Sequence, residues 1–188
     1  MLALITPHLR LETVLEIEAS RLRALGLRGL LLDLDCTLKD YESAAVPPDV
    51  VDWIQTLRSR EIRLCILSNG RTRRIEQVAR TLELPFVGQA FKPLPCGCTL
   101  GLRKLKLRPE QAAVVGDQLF SDILAGKLSG LFTILVRPTD PREPYFTRLK
   151  RPLERWVLRR IERRARPPRS QPSGSRYRSI LSFPFHSA

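Results

Sequence analysis

Short apolar runs alternate with amphipathic stretches between residues 29 and 136. The apolar runs are rich in leucine, isoleucine and valine, they are only strand-length, and polar residues do not alternate regularly within them. This pattern is typical of strands that are buried on both faces of a sheet. It predicts strands at residues 29–35, 62–69, 112–117 and 131–136.

The stretches between these runs place apolar residues at helical spacing, and some carry helix start or stop signals. They predict helices at residues 47–60, 71–82, 98–106 and 121–130. Because strands and helices alternate, we expect an α/β fold, a doubly wound parallel sheet with helices on both faces in a three-layer α/β/α arrangement. Ligands of such sheets bind beyond the carboxyl ends of the strands.

The segments on either side of this core have different compositions. Residues 13–25 space leucine and isoleucine like an amphipathic helix that packs on the core. The end of the chain is rich in proline, serine and arginine, which predicts disorder. The predicted organisation is an N-terminal helical segment at 1–28, a core domain at 29–140, a basic amphipathic helix at 141–166 and a disordered tail at 167–188.

The composition of the 188 residues is that of one globular domain, since 43% are hydrophobic and 27% are charged. No apolar stretch reaches the length of a spanning helix, and the N-terminus lacks the pattern of a signal peptide. The expected compartment is therefore the cytosol. With four cysteines and no histidine near the Cys96-x-Cys98 pair, neither a disulfide framework nor a structural zinc site is expected.

Positive charge is concentrated towards the C-terminus. The net charge is +13, and the fourteen Lys or Arg residues from Arg137 onward face only four acids, so this part carries ten of the thirteen charges. The predicted basic helix could lie in an anionic membrane interface. Alternatively, its apolar stripe packs on the domain and its arginines are solvated. The stripe consists of Leu149, Leu153, Trp156, Val157 and Ile161.

The first predicted strand ends on two carboxylates one residue apart, Asp33 and Asp35, followed at the same spacing by Thr37. Two carboxylates this close cannot both ionise readily without a cation or a shared proton. Mg²⁺ resolves this conflict because it prefers oxygen ligands and keeps waters that a phosphate can replace. Taken singly, such aspartates are also common as turn and capping residues.

Three further polar clusters follow the other strands: Ser68-Asn69-Gly70, Lys92, and the acids Asp117 and Asp122. A hydroxyl, an amide and a glycine at a helix start suit an anion, and a lysine can neutralise phosphate and carboxylate together. Taken alone, Ser68 is more simply interpreted as a helix cap and Lys92 as a solvated side chain. Together the four clusters provide a metal site, an anion pocket and a nucleophile, which phosphoryl transfer through a carboxylate requires.

In order and position these clusters resemble the four motifs of the haloacid dehalogenase superfamily, over about residues 29–136. The resemblance implies a Mg²⁺-dependent phosphatase on a Rossmann-like sheet. It also implies that Asp33 is the nucleophile that forms an aspartyl-phosphate, and that Asp35 is the general acid and then the base for water. Thr37 and Ser68 would hold the phosphoryl group, with Asn69 as a weaker neighbour.

The same resemblance implies the charge partners of the phosphate. Lys92 would steady the phosphate and Asp33. The implied magnesium ligands are the carboxylates of Asp33 and Asp117 and the backbone carbonyl of Asp35. Asp122 would support the waters of the metal.

A closer likeness, over about residues 7–162, is to the YqeG-type subfamily, which includes phosphatidylglycerophosphate phosphatases. It is dense around residues 112–136, which contain the stretch GDQLFSDILAGKLSGLFTILV. Cys36 stands where an asparagine is usual, and Gly70 where a second asparagine is frequent, which bears on substrate preference more than on the reaction. This likeness implies removal of the terminal phosphate of phosphatidylglycerophosphate.

Spacing indicates that the site has no separate cap domain. Only 32 residues separate Asp35 from Ser68, and one helix and one strand take up nearly all of them. The gap between Ser68 and Lys92 is 23 residues, and neither gap can hold a cap domain. An open site favours a large substrate, and with the basic helix it predicts a phospholipid substrate on an anionic membrane surface, for a cytoplasmic protein bound peripherally. The alternatives are a phosphatase of soluble sugar phosphates or nucleotides and a non-catalytic binding protein; nucleic acid is not the expected partner.

Overall fold

The computed structural model describes residues 2–139, 152–154 and 156–161. Its strands are β1 (Leu9–Leu11), β2 (Gly29–Leu32), β3 (Arg63–Leu67), β4 (Phe86–Val87), β5 (Ala112–Gly116) and β6 (Phe132–Val136). Its α-helices are α1 (Ala19–Ala24), α2 (Pro48–Ser59), α3 (Thr72–Thr81), α4 (Cys96–Leu105) and α5 (Leu124–Leu128). Residues 152–154 and 156–161 are also helical.

The six strands form one parallel sheet in the order β1-β6-β5-β2-β3-β4. The register pairs Leu31 of β2 with Cys65 of β3 on one side and with Val114 of β5 on the other. β2 is therefore central, and the chain reverses its winding direction there. A doubly wound parallel sheet was predicted, and it is confirmed.

Helices cover both faces of this sheet. Leu30 and Leu32 of β2 belong to the core that α1, α2 and α3 close, whereas Leu31 belongs to the core that α4 and α5 close. Alternate residues of a strand point to opposite faces, so a run of leucines fills two cores at once. The predicted three-layer α/β/α arrangement is confirmed.

The predicted strands and helices of the core are all present. Most have shorter bounds than predicted, whereas α4 begins two residues earlier and ends one residue earlier than the predicted helix at 98–106. The last predicted helix is divided, since a π-helical turn over Leu119–Ile123 precedes α5. Between Asp35 and Ser68 the chain forms α2 and β3, and between Ser68 and Lys92 it forms α3 and β4. The residues described here include no separate cap domain, as predicted.

The predicted N-terminal helix over residues 13–25 is wrong in extent. Thr13 and Glu16 form a capping box around a 3-10 turn, Ile17 is extended, and the α-helix begins only at Ala19. The Ile17 carbonyl accepts a hydrogen bond from the indole nitrogen of Trp53 at 3.0 Å. Its partner is therefore a side chain of α2 and not a backbone N–H of a helix. Before this turn, Leu9–Leu11 forms an edge strand that the sequence analysis did not predict.

The described part of the predicted basic helix packs on the domain. Val157 and Ile161 are buried in a cluster with Leu119, Ile123 and Leu135, while Leu153 and Trp156 are 54% and 57% exposed. The apolar stripe therefore divides between the core and the surface. The predicted disordered tail, residues 167–188, lies outside the described residues. Among the helices that the structure describes, none is long and apolar enough to cross a membrane.

Candidate active site

The carboxyl ends of the central strands bring the predicted site residues together. Asp33 directly follows β2, and its N–H still donates to the Val115 carbonyl at 2.9 Å. Ser68 directly follows β3 and Asp117 directly follows β5. Because β2 lies between β3 and β5, these three residues meet at one edge of the sheet.

A buried lysine lies among the carboxylates at this edge. Lys92 Nζ donates to Asp33 Oδ1 at 2.5 Å, to Asp122 Oδ1 at 2.6 Å and to the Leu67 carbonyl at 3.0 Å. One carboxylate oxygen each from Asp33, Asp117 and Asp122 lies within 4.8 Å of the others. All four side chains are buried, so their charges interact strongly.

Burial sets the proton affinities in this cluster. It raises the pKa of Asp33 well above its ordinary value, and the charges of Asp122 and Asp117 add to the rise, although Lys92 opposes it. Burial alone would lower the pKa of Lys92, but the carboxylates of Asp122 and Asp33 outweigh it and raise that pKa. Lys92 therefore stays a cation and stabilises the negative charge of the carboxylates at this edge.

The donor set fits a hard divalent cation. Three carboxylate oxygens converge, and the described cluster holds a single ammonium group to balance them. Mg²⁺ takes such oxygens as ligands. The two implied carboxylate ligands, Asp33 and Asp117, both belong to the convergent group. The Asp122 carboxylate, which was implied only to support the waters of the metal, belongs to it as well.

Gly116 makes room for Asp122. A Cβ atom at position 116 would overlap the Asp122 carboxylate, so no larger residue fits there without displacing that acid. The Gln118 N–H fixes the other carboxylate oxygen of Asp122 at 3.1 Å. In the Gly-Asp-Gln sequence, Gly116 thus leaves space for the Asp122 carboxylate, and the Gln118 N–H orients it.

The predicted phosphate-binding side chains all lie near the cluster, and each has a partner within the protein. Thr37 Oγ1 donates to Asp117 Oδ1 at 3.3 Å, and Ser68 Oγ accepts from the Gly70 N–H at 3.1 Å. Asn69 pairs with the backbone of Lys92, donating to its carbonyl at 2.9 Å and accepting from its N–H at 2.7 Å. Asn69 therefore positions the Lys92 loop, and phosphate binding by it stays a prediction.

The Asp35 carboxylate is not part of the three-acid cluster and lies between two cations. It forms ion pairs with Arg74 and with Lys39, whose Nζ is 3.2 Å from Asp35 Oδ1. Arg74 also lies over the ring of Tyr41, 5.4 Å from its centroid. Asp35 is 19% exposed, so it lies between the buried site and the surface.

Lys39 and Arg74, the two cations beside Asp35, were not predicted from the sequence. A signal for Arg74 exists in the sequence, since Arg71, Arg73 and Arg74 directly follow the Ser68-Asn69-Gly70 cluster. No comparable signal marks Lys39. Cys36 adopts a left-handed backbone with φ of 63°, a conformation that asparagine tolerates well, and its N–H donates to the Lys39 carbonyl at 2.8 Å.

Comparison with known proteins agrees with this geometry. The profile of the haloacid dehalogenase-like hydrolases matches residues 7–130, so the chain belongs to that family. The predicted superfamily resemblance is thereby confirmed. Among its relatives is "Probable phosphatase YqeG" of Bacillus subtilis (strain 168), 30% identical over 153 residues that cover 81% of this chain and 89% of that protein.

A second relative carries a more specific name. Phosphatidylglycerophosphate phosphatase 1, chloroplastic/mitochondrial, of Arabidopsis thaliana is 26% identical over 87% of this chain, and this chain spans half of that protein's length. A solved structure, the cobalt-bound deoxy-D-mannose-octulosonate 8-phosphate phosphatase of Haemophilus influenzae, superposes with a TM-score of 0.50 at 14% identity, over 74% of this chain and 92% of that one. This likeness concerns the fold alone.

Proposed function

We propose that the protein is a phosphatase that hydrolyses a phosphate monoester through an aspartyl-phosphate on Asp33. The observation that carries the proposal is the buried group of Asp33, Asp117, Asp122 and Lys92 at the carboxyl edge of the sheet. Three acids and one lysine that share this edge form a site for a cation and a phosphoryl group. The name of the Bacillus subtilis relative supports the same reaction.

The side chains divide the work as follows. Asp33 attacks phosphorus, and Lys92, already bound to Asp33, balances the charge that collects on the phosphoryl oxygens. Asp35 donates a proton to the leaving oxygen and later takes one from the water that cleaves the aspartyl-phosphate. Thr37 and Ser68 supply hydroxyls to the phosphoryl group.

Magnesium is the cation we propose for this site. Asp33 and Asp117 would hold it together with the backbone carbonyl of Asp35, and Asp122, which Gln118 and Lys92 orient, would support its waters. When bound, the cation supplies charge neutralisation for the phosphoryl oxygens and for the ionised Asp33.

For the substrate we propose phosphatidylglycerophosphate at a membrane surface, with phosphatidylglycerol as the product. Three observations support this choice: the relative from Arabidopsis thaliana is named for that substrate, the described residues include no cap over the site, and the net charge is +13. A positively charged protein is attracted to an anionic leaflet. The protein would then be peripheral, on the cytoplasmic face of the membrane.

A second candidate is a phosphatase of soluble sugar phosphates or nucleotides. It is favoured by a cleft of about 520 Å³ beside Asp35, which Tyr41, Glu42, Arg74 and Gln77 line in part. A cleft of this size holds a small molecule. Arg74 in its wall could pair with a second anionic group of such a substrate.

One assay separates the two candidates. The full chain is given phosphatidylglycerophosphate in mixed micelles, or soluble sugar phosphates and nucleotides, and phosphate release is measured with Mg²⁺ and with a chelator. We expect release from the lipid with Mg²⁺ only, and a loss of roughly a thousandfold or more in Asp33→Asn, because the nucleophile is removed. Asp52→Asn is the matched control, since Asp52 is exposed on α2.

The outcomes decide between the candidates. Turnover of soluble phosphates with no release from the lipid would replace the lipid proposal with the second candidate. Equal activity of Asp33→Asn and Asp52→Asn would contradict the aspartyl-phosphate, and equal release with the chelator would contradict the metal. Absence of any phosphate release from both substrate groups would leave the non-catalytic binding protein as the explanation.

A further inference from the structure

Two large apolar side chains are exposed on the loop that follows β4. Phe91 is 64% exposed and Leu94 is 58% exposed, and a hydrogen bond of 2.9 Å from the Leu94 N–H to the Phe91 carbonyl closes a tight turn between them. Phe91 also has a left-handed backbone, with φ of 53°. A bulky residue rarely adopts this conformation, and here it projects an aromatic ring into solvent.

This turn is fixed to the active site. Lys92, between the two apolar residues, is buried with its Nζ on Asp33 and Asp122. The Asn69 side chain holds the Lys92 backbone through two hydrogen bonds. Phe91 and Leu94 are therefore held at a set position beside the nucleophile, on the open edge of the sheet.

The two chain segments at this corner of the site contain basic residues and no acid. Residues 68–75 include Arg71, Arg73 and Arg74, and residues 84–95 include Lys92. Of these, Arg74 pairs with Asp35, and Lys92 pairs with Asp33 and Asp122. Arg71 and Arg73 are exposed at the start of α3, and the loop that precedes them is joined to the Phe91 loop, because the Gln89 N–H donates to the Gly70 carbonyl at 3.1 Å. Apolar side chains beside exposed arginines complement an anionic lipid surface.

We propose that this rim, defined as Phe91, Leu94, Arg71 and Arg73, docks on an anionic phospholipid bilayer. Phe91 and Leu94 enter the boundary between head groups and acyl chains, and the two arginines pair with lipid phosphates. Docking of the rim brings the open edge of the sheet, with Asp33, to head-group level. The inference rests on the proposed function, in that a lipid substrate must be reached at the membrane.

The rim differs from the surface expected from the sequence, which is the basic C-terminal helix. In that helix Val157 and Ile161 are buried against the domain, so of its described apolar stripe Leu153 and Trp156 are the more exposed part. The two surfaces can be separated because each has its own exposed apolar pair.

The test measures sedimentation of the full chain with vesicles that contain no substrate lipid, either phosphatidylcholine alone or phosphatidylcholine mixed with phosphatidylglycerol. We expect binding to the mixed vesicles, a loss of at least tenfold in Phe91→Ser/Leu94→Ser, and a smaller loss with a weaker salt dependence in Arg71→Gln/Arg73→Gln. Leu4→Ser/Leu128→Ser is the matched control, since these leucines are 44% and 49% exposed and distant from the rim in sequence. We expect it to bind like the unmodified chain.

Several results would overturn the rim. They are absence of vesicle binding by the unmodified chain, unchanged binding of the Phe91 and Leu94 variant, or a loss confined to Leu153→Ser/Trp156→Ser. Urea unfolding of each variant checks that its fold is intact. The vesicles hold no substrate, so binding is measured independently of the phosphatase assay. If binding depends on the rim but the phosphatase assay shows no phosphate release from the lipid, the proposed substrate is wrong and docking through the rim stands. If the lipid is hydrolysed but binding does not depend on the rim, docking through the rim is wrong and the proposed substrate stands.

Discussion

Lys39 is a charged side chain that is only 1% exposed. Its ammonium group donates to the carbonyls of Ser43 at 2.7 Å, Asp40 at 2.9 Å and Tyr41 at 3.5 Å, and it pairs with Asp35. A buried charge is tolerated when hydrogen bonds and an opposite charge compensate for its lost hydration. Lys39 therefore holds this loop together by polar contacts, as a buried apolar side chain would by packing, and it links the loop to Asp35.

Removal of the ammonium group should destabilise the protein. In Lys39→Met the three carbonyls lose their donor, and we expect the free energy of unfolding to fall by about 2 to 4 kcal/mol in a urea titration. Lys104→Met is the control, because Lys104 is exposed on α4 and its replacement should change stability by about 0.5 kcal/mol or less. A Lys39→Met protein as stable as this control would show that the loop does not depend on the ammonium group.

At this scale the sequence predicts side chains that strand ends position, and it misses those that loops position. Asp33, Ser68 and Asp117 each directly follow a buried strand, so the topology alone brings them together. Lys39 and Arg74 reach Asp35 through the conformation of residues 36–43 and the start of α3, which includes a left-handed Cys36. Hydrophobic periodicity carries no information on such a turn.

His8 joins the edge strand β1 to its neighbour β6. The Thr133 N–H donates to His8 Nδ1 at 2.9 Å, and the imidazole stacks on Phe132 with ring centroids 4.6 Å apart. Burial, the larger cause, and the charge of Lys127, the smaller one, together lower the pKa of His8 from 6.5 to about 4. The folded protein therefore favours the neutral ring, whose Nδ1 can accept this hydrogen bond.

The depressed pKa of His8 makes stability dependent on pH. Between about pH 4 and pH 6.5 the unfolded chain binds more protons at His8 than the folded chain does, so the stabilisation present above pH 6.5 is lost as the pH falls towards 4. His8 is only half-buried, so we expect a discounted loss of about 1 to 2 kcal/mol. The measurement compares urea unfolding at pH 7 and pH 4.5 with that of His8→Gln, which does not titrate. The same pH dependence in both proteins would contradict the prediction.

Elements with long apolar runs could be predicted, and short ones could not. The four predicted strands provide the central part of the sheet, whereas the edge strands Leu9–Leu11 and Phe86–Val87 are too short to show a period. The N-terminal segment shows a related failure. Val14, Ile17 and Leu22 are all buried at helix-like spacing, but a capping box and the Trp53 hydrogen bond divide the segment.

At the scale of the whole molecule, the last described helix packs against the turn that follows β5. Val157 and Ile161 contact the cluster that contains Leu119 and Ile123, from the turn just after Asp117. The Phe120 N–H donates to Glu154 at 3.3 Å, which joins the same turn to the helix. The sequence left membrane binding and packing open for this helix, because one stripe of apolar residues serves either purpose.

The divided stripe predicts a large difference between two pairs of substitutions in one helix. Val157→Ser/Ile161→Ser removes buried side chains from the cluster beside the Asp117 turn, and we expect the free energy of unfolding to fall by about 3 to 5 kcal/mol. Leu153→Ser/Trp156→Ser changes exposed positions of the same helix, and a change of about 1 kcal/mol or less is expected. Urea unfolding of the two variants and the unmodified chain measures both. If the first pair costs no more than the second, the helix does not stabilise the domain, and its whole apolar stripe is available to a membrane.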